Sequence, residues 1–425
     1  MCYVLCAVIL HNFQRLINSH LPWVWFLWYN LEYDLNGLQI DLDGNHMLFF
    51  SKPKSYIGID LGAGGVKLVE LRKEKNRPVL FTYGLTSEPQ DIHHLVVQKD
   101  KTAQELTVKN SDAKAQAAPN IEDARVEKYI QMVKAVCHSA KTVSKLAVSS
   151  LPVSSVFQAV VTMPKVEKSE VDHILKAEVK KLLPRPLEEM ALDYQPLPMP
   201  KEANVSKFLI HAVPREIVVF YSKVCRGAGL TLDSLEPEST ALARALVGKD
   251  NGVNMIIDIG AERTNFFMVD SGVPVTHHSI ESGGQKIDRI LKNILGVDDN
   301  LVEKIKFDLF GRLNRGQNAS GWDKNKFLEI FMPVLDPIIK EIEFSFDVYF
   351  HQSGNEGKRP EKIILTGGGG FLPFLPEFIA DKFKLKCYVG DPWGRVLYQD
   401  GLKGLLGQIG PRMSVAIGLA LRNIV

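Results

Sequence analysis

The chain has 425 residues, 45% of them hydrophobic and 24% charged, with a formal net charge of +2. That length suits two or three globular domains, and a near-balanced charge without a basic stripe argues against a nucleic-acid partner. The five cysteines (Cys2, Cys6, Cys137, Cys225, Cys387) form no Cys-x-x-Cys pair and no metal-ligand spacing, so they read as free thiols of a reducing compartment.

Residues 1–46 differ from the rest. An apolar run (2–10) is followed by a polar stretch (11–20) and an aromatic run (21–29). Neither apolar run reaches the roughly 18 residues of a membrane span, and no positively charged start precedes an apolar core as in a signal peptide. Met47 opens a better-formed start, so 1–46 are expected to be a non-native extension from an upstream start codon; a membrane-surface anchor is the other reading. Strand-like runs at 56–60 and 66–71, joined by a glycine turn, predict a β-hairpin. Residues 86–120 are polar and aperiodic, which predicts a flexible insertion. A helix is expected over 121–141 and a strand over 145–150.

A compact unit comes next: strand 156–162, helix 169–183 with Ser169 and Asp172 as a capping pair, and strands 190–194 and 208–213. It reads as a small α+β domain inserted into a larger one. Helix 215–226 stops at Gly227 and Gly229. The second half then repeats the opening, with strands 255–258 and 265–269 around a glycine turn and a third strand at 274–280. Helices follow at 285–295, 301–309 and 326–351. Strand 361–365 runs into four glycines, and strand 385–389 and helix 413–422 close the chain.

The strongest chemical signal is that repeat. Asp60-Leu-Gly-Ala-Gly-Gly-Val-Lys67 and Asp258-Ile-Gly-Ala-Glu-Arg-Thr-Asn265 share one form: strand, Asp-x-Gly, tight turn, strand. Turn N–H groups make an anion nest, an aspartate at a strand end suits a phosphate-bound Mg²⁺, and Lys67 adds a point charge for a phosphate. One such turn alone is better explained as a plain hairpin. A second copy, and the loop Leu365-Thr-Gly-Gly-Gly-Gly370 whose bare backbone suits a flat base, favour a nucleotide clamp. The adjacent pairs His93–His94 and His277–His278 make no metal site, because neighbours on a strand face opposite ways.

These three elements, in this order, resemble the two phosphate motifs and the adenosine motif of the actin and sugar-kinase superfamily. Residues 235–243 and 414–420 are similar to its two connecting helices, and Glu303-Lys-Ile-Lys306 to its Glu-x-x-Lys helix. Within that superfamily IGIDLGAGGVKLVEL, LPRPLEEMALDYQPLP and the inserted unit resemble the type IV pilus assembly protein PilM family, a relative of the cell-division protein FtsA, from about residue 47 to 425. The first turn departs from it, with Ala63-Gly64-Gly65 where many relatives carry hydroxyl residues.

The resemblance implies an α/β, actin-like (ribonuclease H-like) two-lobed ATPase fold. The first lobe would be 47–153, the inserted strand-helix-strand-strand unit 154–213, the return to the first lobe with its connecting helix 214–252, and the second lobe 253–425. It implies ATP and Mg²⁺ as cofactors. Asp60 and Asp258 would position the metal; Gly62, Gly64, Gly65, Lys67, Gly260 and Thr264 would meet phosphates; Glu303 and Lys306 the ribose; Gly367, Gly368 and Gly369 the adenine. Glu236 would orient an attacking water or, equally, serve as a helix N-terminal carboxylate. The implied role is a cytoplasmic ATP-binding scaffold at the inner face of the membrane, holding the tail of a PilN-like inner-membrane protein, with pilus ATPases or further copies of the chain as other partners. An FtsA-like filament protein and a small-molecule kinase are the rival readings. A kinase needs an aspartate base on a substrate loop, and no such motif is evident.

Overall fold

The computed structural model describes residues 54–87, 92, 121–199, 204–316, 323–352, 354–355 and 357–425. The expected extension 1–46 and most of the expected insertion 86–120 lie outside the described residues.

Strands β1 (Ser55–Gly62), β2 (Gly65–Glu74) and β3 (Arg77–Leu85) form an antiparallel meander. β3 was not expected from the sequence, because Pro78 weakens its strand signal. It is an edge strand, where a missing N–H is tolerated. Its turn has Lys75 and Asn76 at φ 46 and 61, the pair of positive values a type I′ hairpin needs. The β3 edge is partly covered, since the Leu80 N–H donates to the Leu397 carbonyl and the Leu397 N–H to that of Pro78.

Helix α1 (Ile121–Ala140) and strand β4 (Leu146–Leu151) follow. Next come β5 (Phe157–Pro164), α2 (Val171–Leu182), β6 (Met190–Pro196), β7 (Val205–Pro214), α3 (Arg215–Gly227), β8 (Thr231–Pro237) and α4 (Glu238–Leu242). The Ser169–Asp172 cap does not form: Glu170 is the N-cap and no side chain caps it. The expected helix over 235–243 is also corrected. Pro237 forces its predecessor into an extended conformation, so Glu236 belongs to β8 and the helix starts only at Glu238.

The second half contains β9 (Val253–Ile259), β10 (Thr264–Asp270), β11 (Val273–Ile280), α5 (Gly284–Leu295), α6 (Asp299–Asn314), α7 (Lys324–Phe350), β12 (Lys362–Thr366), α8 (Leu375–Phe383), β13 (Lys386–Val389) and α9 (Lys403–Leu421). The large sheets, β3-β2-β1-β4-β8 and β11-β10-β9-β12-β13, have the same order and the same mix of three antiparallel and two added parallel strands. One topology is therefore present twice.

Each large sheet is buried on both faces. Ile57, Ile59 and Leu68 meet Tyr129 and Val133 of α1 and Val224 of α3. On the opposite face Val69 and Leu71 meet Met413, Ile417 and Leu421 of α9. In the second sheet Met255, Ile257 and Phe266 pack on Phe327 and Phe331 of α7, while Ile256, Phe267 and Ile364 pack on Leu242 of α4 and Leu419 of α9. Helix α9 is long and apolar enough to cross a bilayer by length and composition, yet most of it is packed inside protein. It also approaches two backbones closely. A Cβ on Gly58 would lie 2.0 Å from the Ala416 carbonyl oxygen, and one on Gly418 would lie 1.9 Å from that of Ala241.

The small sheet β5-β7-β6 packs α2 on one face through Val161, Leu175, Val179 and Ile210. Its edge strand β5 meets β11, where the Gln158 amide donates to the Pro274 carbonyl at 3.0 Å. His211 lies 3.2 Å from the Gln158 side-chain oxygen. Beside it the His277 imidazole is lowered from its ordinary 6.5 to about 4 by burial, then by His278 and His211. A lowered histidine stays neutral in the fold and binds a proton when unfolded, so its contribution is complete above pH 6.5 and is lost as pH falls towards 4. Acidification across that window is expected to cost about 2 kcal/mol, and His277→Gln to flatten the profile, as read by denaturant melts at several pH values.

Candidate functional site

The two hairpin turns of the repeat face each other across a cavity of about 1230 Å³. Asp60 on β1 stands opposite Lys67 on β2, and Asp258 on β9 stands opposite Asn265 on β10. The turn tips touch: a Cβ on Gly64 would lie 3.2 Å from the Cβ of Ala261. The floor holds an excess of carboxylates. Lys67 Nζ is 3.2 Å from Asp60 Oδ2, and the Ser150 hydroxyl on β4 donates to Asp60 Oδ1 at 3.1 Å. Burial, then the Asp60 charge, pushes the Asp258 carboxyl up to about 6. Glu238, at the start of α4, is pushed well above the ordinary carboxylate range by burial, then by Asp60 and Asp258. Its carboxylate accepts one long bond, 3.4 Å, from the Val153 N–H.

Three acids around one lysine leave negative charge that a cation would relieve. Among the described residues no group of three or more His, Cys, Asp or Glu side chains is arranged to hold a metal ion by itself. A cation here would take most of its ligands from water and phosphate, which is the habit of Mg²⁺. The residues present therefore fit a metal that arrives with a polyphosphate.

The far side of the cavity is built by α6, the glycine loop and α9. Arg412 Nη2 donates to Glu303 Oε1 at 2.8 Å, and Lys306 Nζ to Asp288 Oδ1 at 2.6 Å. Gly367 has φ +80, and a Cβ there would fall 2.4 Å from Asp258 Oδ1. A Cβ on Gly369 would fall 2.3 Å from Ile259 Cγ2. The glycine run thus lets the loop lie against the end of β9. Gly368 is the one beside Arg412, its Cβ position 3.3 Å from Nε.

A family model described as type IV pilus assembly protein PilM matches residues 94–424. The chain belongs to the PilM family. A solved chain from a PilM–PilN type IV pilus biogenesis complex is 22% identical, with a TM-score of 0.67 over 88% of this chain and 100% of that one. The ethanolamine utilization protein EutJ of Carboxydothermus hydrogenoformans is 16% identical, with a TM-score of 0.47 over 87% and 91% of the two chains. MreB5 of Spiroplasma citri, solved with AMPPNP, is 15% identical, with a TM-score of 0.40 over 87% and 95%. The fold of this PilM-family chain is the actin-like one expected. The family match begins at residue 94; the first hairpin precedes it and has the same antiparallel pairing as the second.

In this PilM-family chain the residues singled out from sequence divide. Asp60, Gly62, Gly64, Lys67, Asp258, Gly260, Glu303, Lys306 and Gly367–Gly369 all line the cavity. Gly65 does not: it supplies φ +107 to the turn and packs against the Thr86 carbonyl. The Thr264 hydroxyl donates to the Ser282 carbonyl within the core and is not free for a phosphate. Glu236 is held by a bidentate pair with Arg244, at 2.8 and 2.9 Å, and by Arg422 Nε at 3.0 Å. It is a structural anion, and Glu238, two residues on, faces the cavity instead. Sequence reasoning missed Ser150, Glu238, Asp288 and Arg412. Only Glu238 carried a usable signal, since Pro237 marks where the helix starts and which acid begins it.

Proposed function

We propose that the cleft binds an adenine nucleotide with Mg²⁺, and that the chain is a nucleotide-dependent scaffold of a type IV pilus inner-membrane platform, working on its cytoplasmic face. The observation that carries this reading is the pair of like hairpins set turn to turn, with Asp60, Asp258 and Lys67 converging on one cavity. Asp60 and Asp258 hold the hydrated cation, and Gly62, Gly64, Gly260 and Lys67 hold the phosphates. Glu303 and Lys306 meet the ribose, and Gly367–Gly369 the base. Bound there, the cation would draw charge from the phosphate oxygens. Glu238 takes the water-holding role first given to Glu236, because its carboxylate is the one at the cavity.

The nucleotide bridges the two large sheets, so its state sets the angle between them. The inserted unit, 154–213, is the partner-binding part in this reading. Its edge strand β6 suits an extended peptide, such as the cytoplasmic tail of a PilN-like membrane protein. The PilN named in the related solved complex supports that choice.

Calorimetry with ATP, with and without Mg²⁺, tests the cleft. Micromolar binding that requires the metal is expected, and no binding at millimolar nucleotide sinks the reading. Anisotropy of a labelled PilN-like tail peptide tests the scaffold. Peptide affinity is expected to change several-fold between the nucleotide-free and ATP-bound protein, and an unchanged affinity removes the switch.

A further inference from the structure

Helix α6 turns one face to the cavity. Glu303, Phe307, Phe310, Gly311 and Asn314 recur at the helical period, and all of them line it. Both ends of that face are tied to the glycine loop and α9. Near its start Glu303 accepts from Arg412 at 2.8 Å, and the Arg412 side chain passes beside Gly368. At its end the Asn314 side-chain nitrogen donates to the Phe371 carbonyl at 2.9 Å. Phe371 closes the short helical turn that begins at Gly368, so this contact sets Asn314 against the glycine loop. Between the two ties Phe307 is half exposed, an apolar surface on which a flat ring can lie.

The bond at Asn314 has a direction. A carbonyl accepts and cannot donate, so the amide gives its NH₂ to Phe371 and Oδ1 is the atom left over. Among the described residues nothing donates to that oxygen. Turning the amide over would forfeit the bond and set two carbonyl oxygens against each other. At this place Asn314 is therefore an acceptor.

We propose that Asn314 selects the base, its Oδ1 accepting from the exocyclic 6-amino group of adenine. Guanine and hypoxanthine carry an oxygen at that position and would bring a second acceptor to the one Asn314 presents. The Phe371 carbonyl keeps the amide from turning to suit them, so the wrong base is rejected as well as the right one held. The inference rests on the nucleotide reading of the cleft and adds the atom that decides the base.

The test is titration calorimetry of the full chain with Mg-ATP and with Mg-ITP, inosine triphosphate, whose base differs from adenine at the 6-position and the ring nitrogen beside it. Wild type and Asn314→Ala are compared. The wild type is expected to prefer ATP by about tenfold or more, and Asn314→Ala to narrow the preference below about threefold, with the change falling on ATP. A residue that only ties α6 to the loop would weaken both nucleotides alike and leave their ratio as it was. That result, or a wild type that holds ATP and ITP equally, overturns the inference. If Asn314→Ala does not fold, Asn314→Gln replaces it: the amide is kept but displaced by one methylene, and the same loss of preference is expected. A wild type that binds neither nucleotide sinks the cleft reading and the inference with it, whereas ATP binding with an unchanged ratio in the variant sinks the inference alone.

Discussion

Asp258→Asn is expected to abolish retention of magnesium nucleotide and at the same time to make the empty protein more stable. The Asp258 carboxyl is raised from 3.8 to about 6 by burial and by Asp60. An acid raised in the fold binds more protons there than in the unfolded chain between those values. Stability therefore declines as pH climbs from 3.8 to 6, and above 6 the full cost of the buried charge is present. The amide removes that cost and most of the repulsion with Asp60 and Glu238. A gain of about 1–2 kcal/mol at pH 7.5 is expected, a few degrees in thermal midpoint. Nucleotide affinity is expected to fall by at least about a hundredfold, roughly 3 kcal/mol, because no second carboxylate remains to hold the cation. Scanning calorimetry and titration calorimetry on one preparation read both effects. A variant that melts lower and still binds Mg-ATP tightly would mean the carboxylate is there for packing.

The largest stability effect is expected from adding one methyl group where α9 crosses its neighbours. In Gly58→Ala the new Cβ would stand 2.0 Å from the Ala416 carbonyl oxygen and 2.6 Å from the Ala420 nitrogen. In Gly418→Ala it would stand 1.9 Å from the Ala241 carbonyl oxygen. These obstacles are backbone, so no side chain can rotate away, and strand and helix must separate. A loss of at least about 3 kcal/mol is expected for either change, read as a midpoint drop of many degrees or as insoluble protein. Gly404→Ala is the control. It lies in the same helix with nothing within 4 Å of its Cβ position, and a gain of a few tenths of a kcal/mol is expected. Similar losses at Gly404 and Gly58 would refute the close-approach account.

Much of the site could be read from the sequence because the Asp-x-Gly turn is local and occurs twice. Where a strand ends in aspartate and the next residues must turn, the carboxylate and the turn amides are placed by the hairpin itself. The errors concern properties that a turn does not set. Thr264 has the right side chain at the right spacing, but its hydroxyl is used by the Ser282 carbonyl, eighteen residues on. Glu236 and Glu238 differ only in which side of a proline they stand on. Their fates are decided by Arg244 and Arg422, one of which comes from the far end of the chain. Ser150 reaches Asp60 through sheet order and Arg412 reaches the cavity through helix packing, which no short motif encodes. Strand β3 was not expected, and its signal is mixed locally: a proline stands near its start, ahead of the run LFTYGL.

Helix α9 also constrains the order in which a growing chain can fold. It covers the face of the first large sheet that presents Val69 and Leu71. Strands β1 to β3 are finished by Leu85, whereas α9 begins at Lys403. At about 5–20 residues per second, the roughly 300 intervening residues take tens of seconds to synthesise. For that interval the earliest strands have an uncovered apolar face on the ribosome. The first large sheet is thus completed only once α9 has been made, and a truncation that removes α9 is expected to leave it as a target for chaperones and proteases.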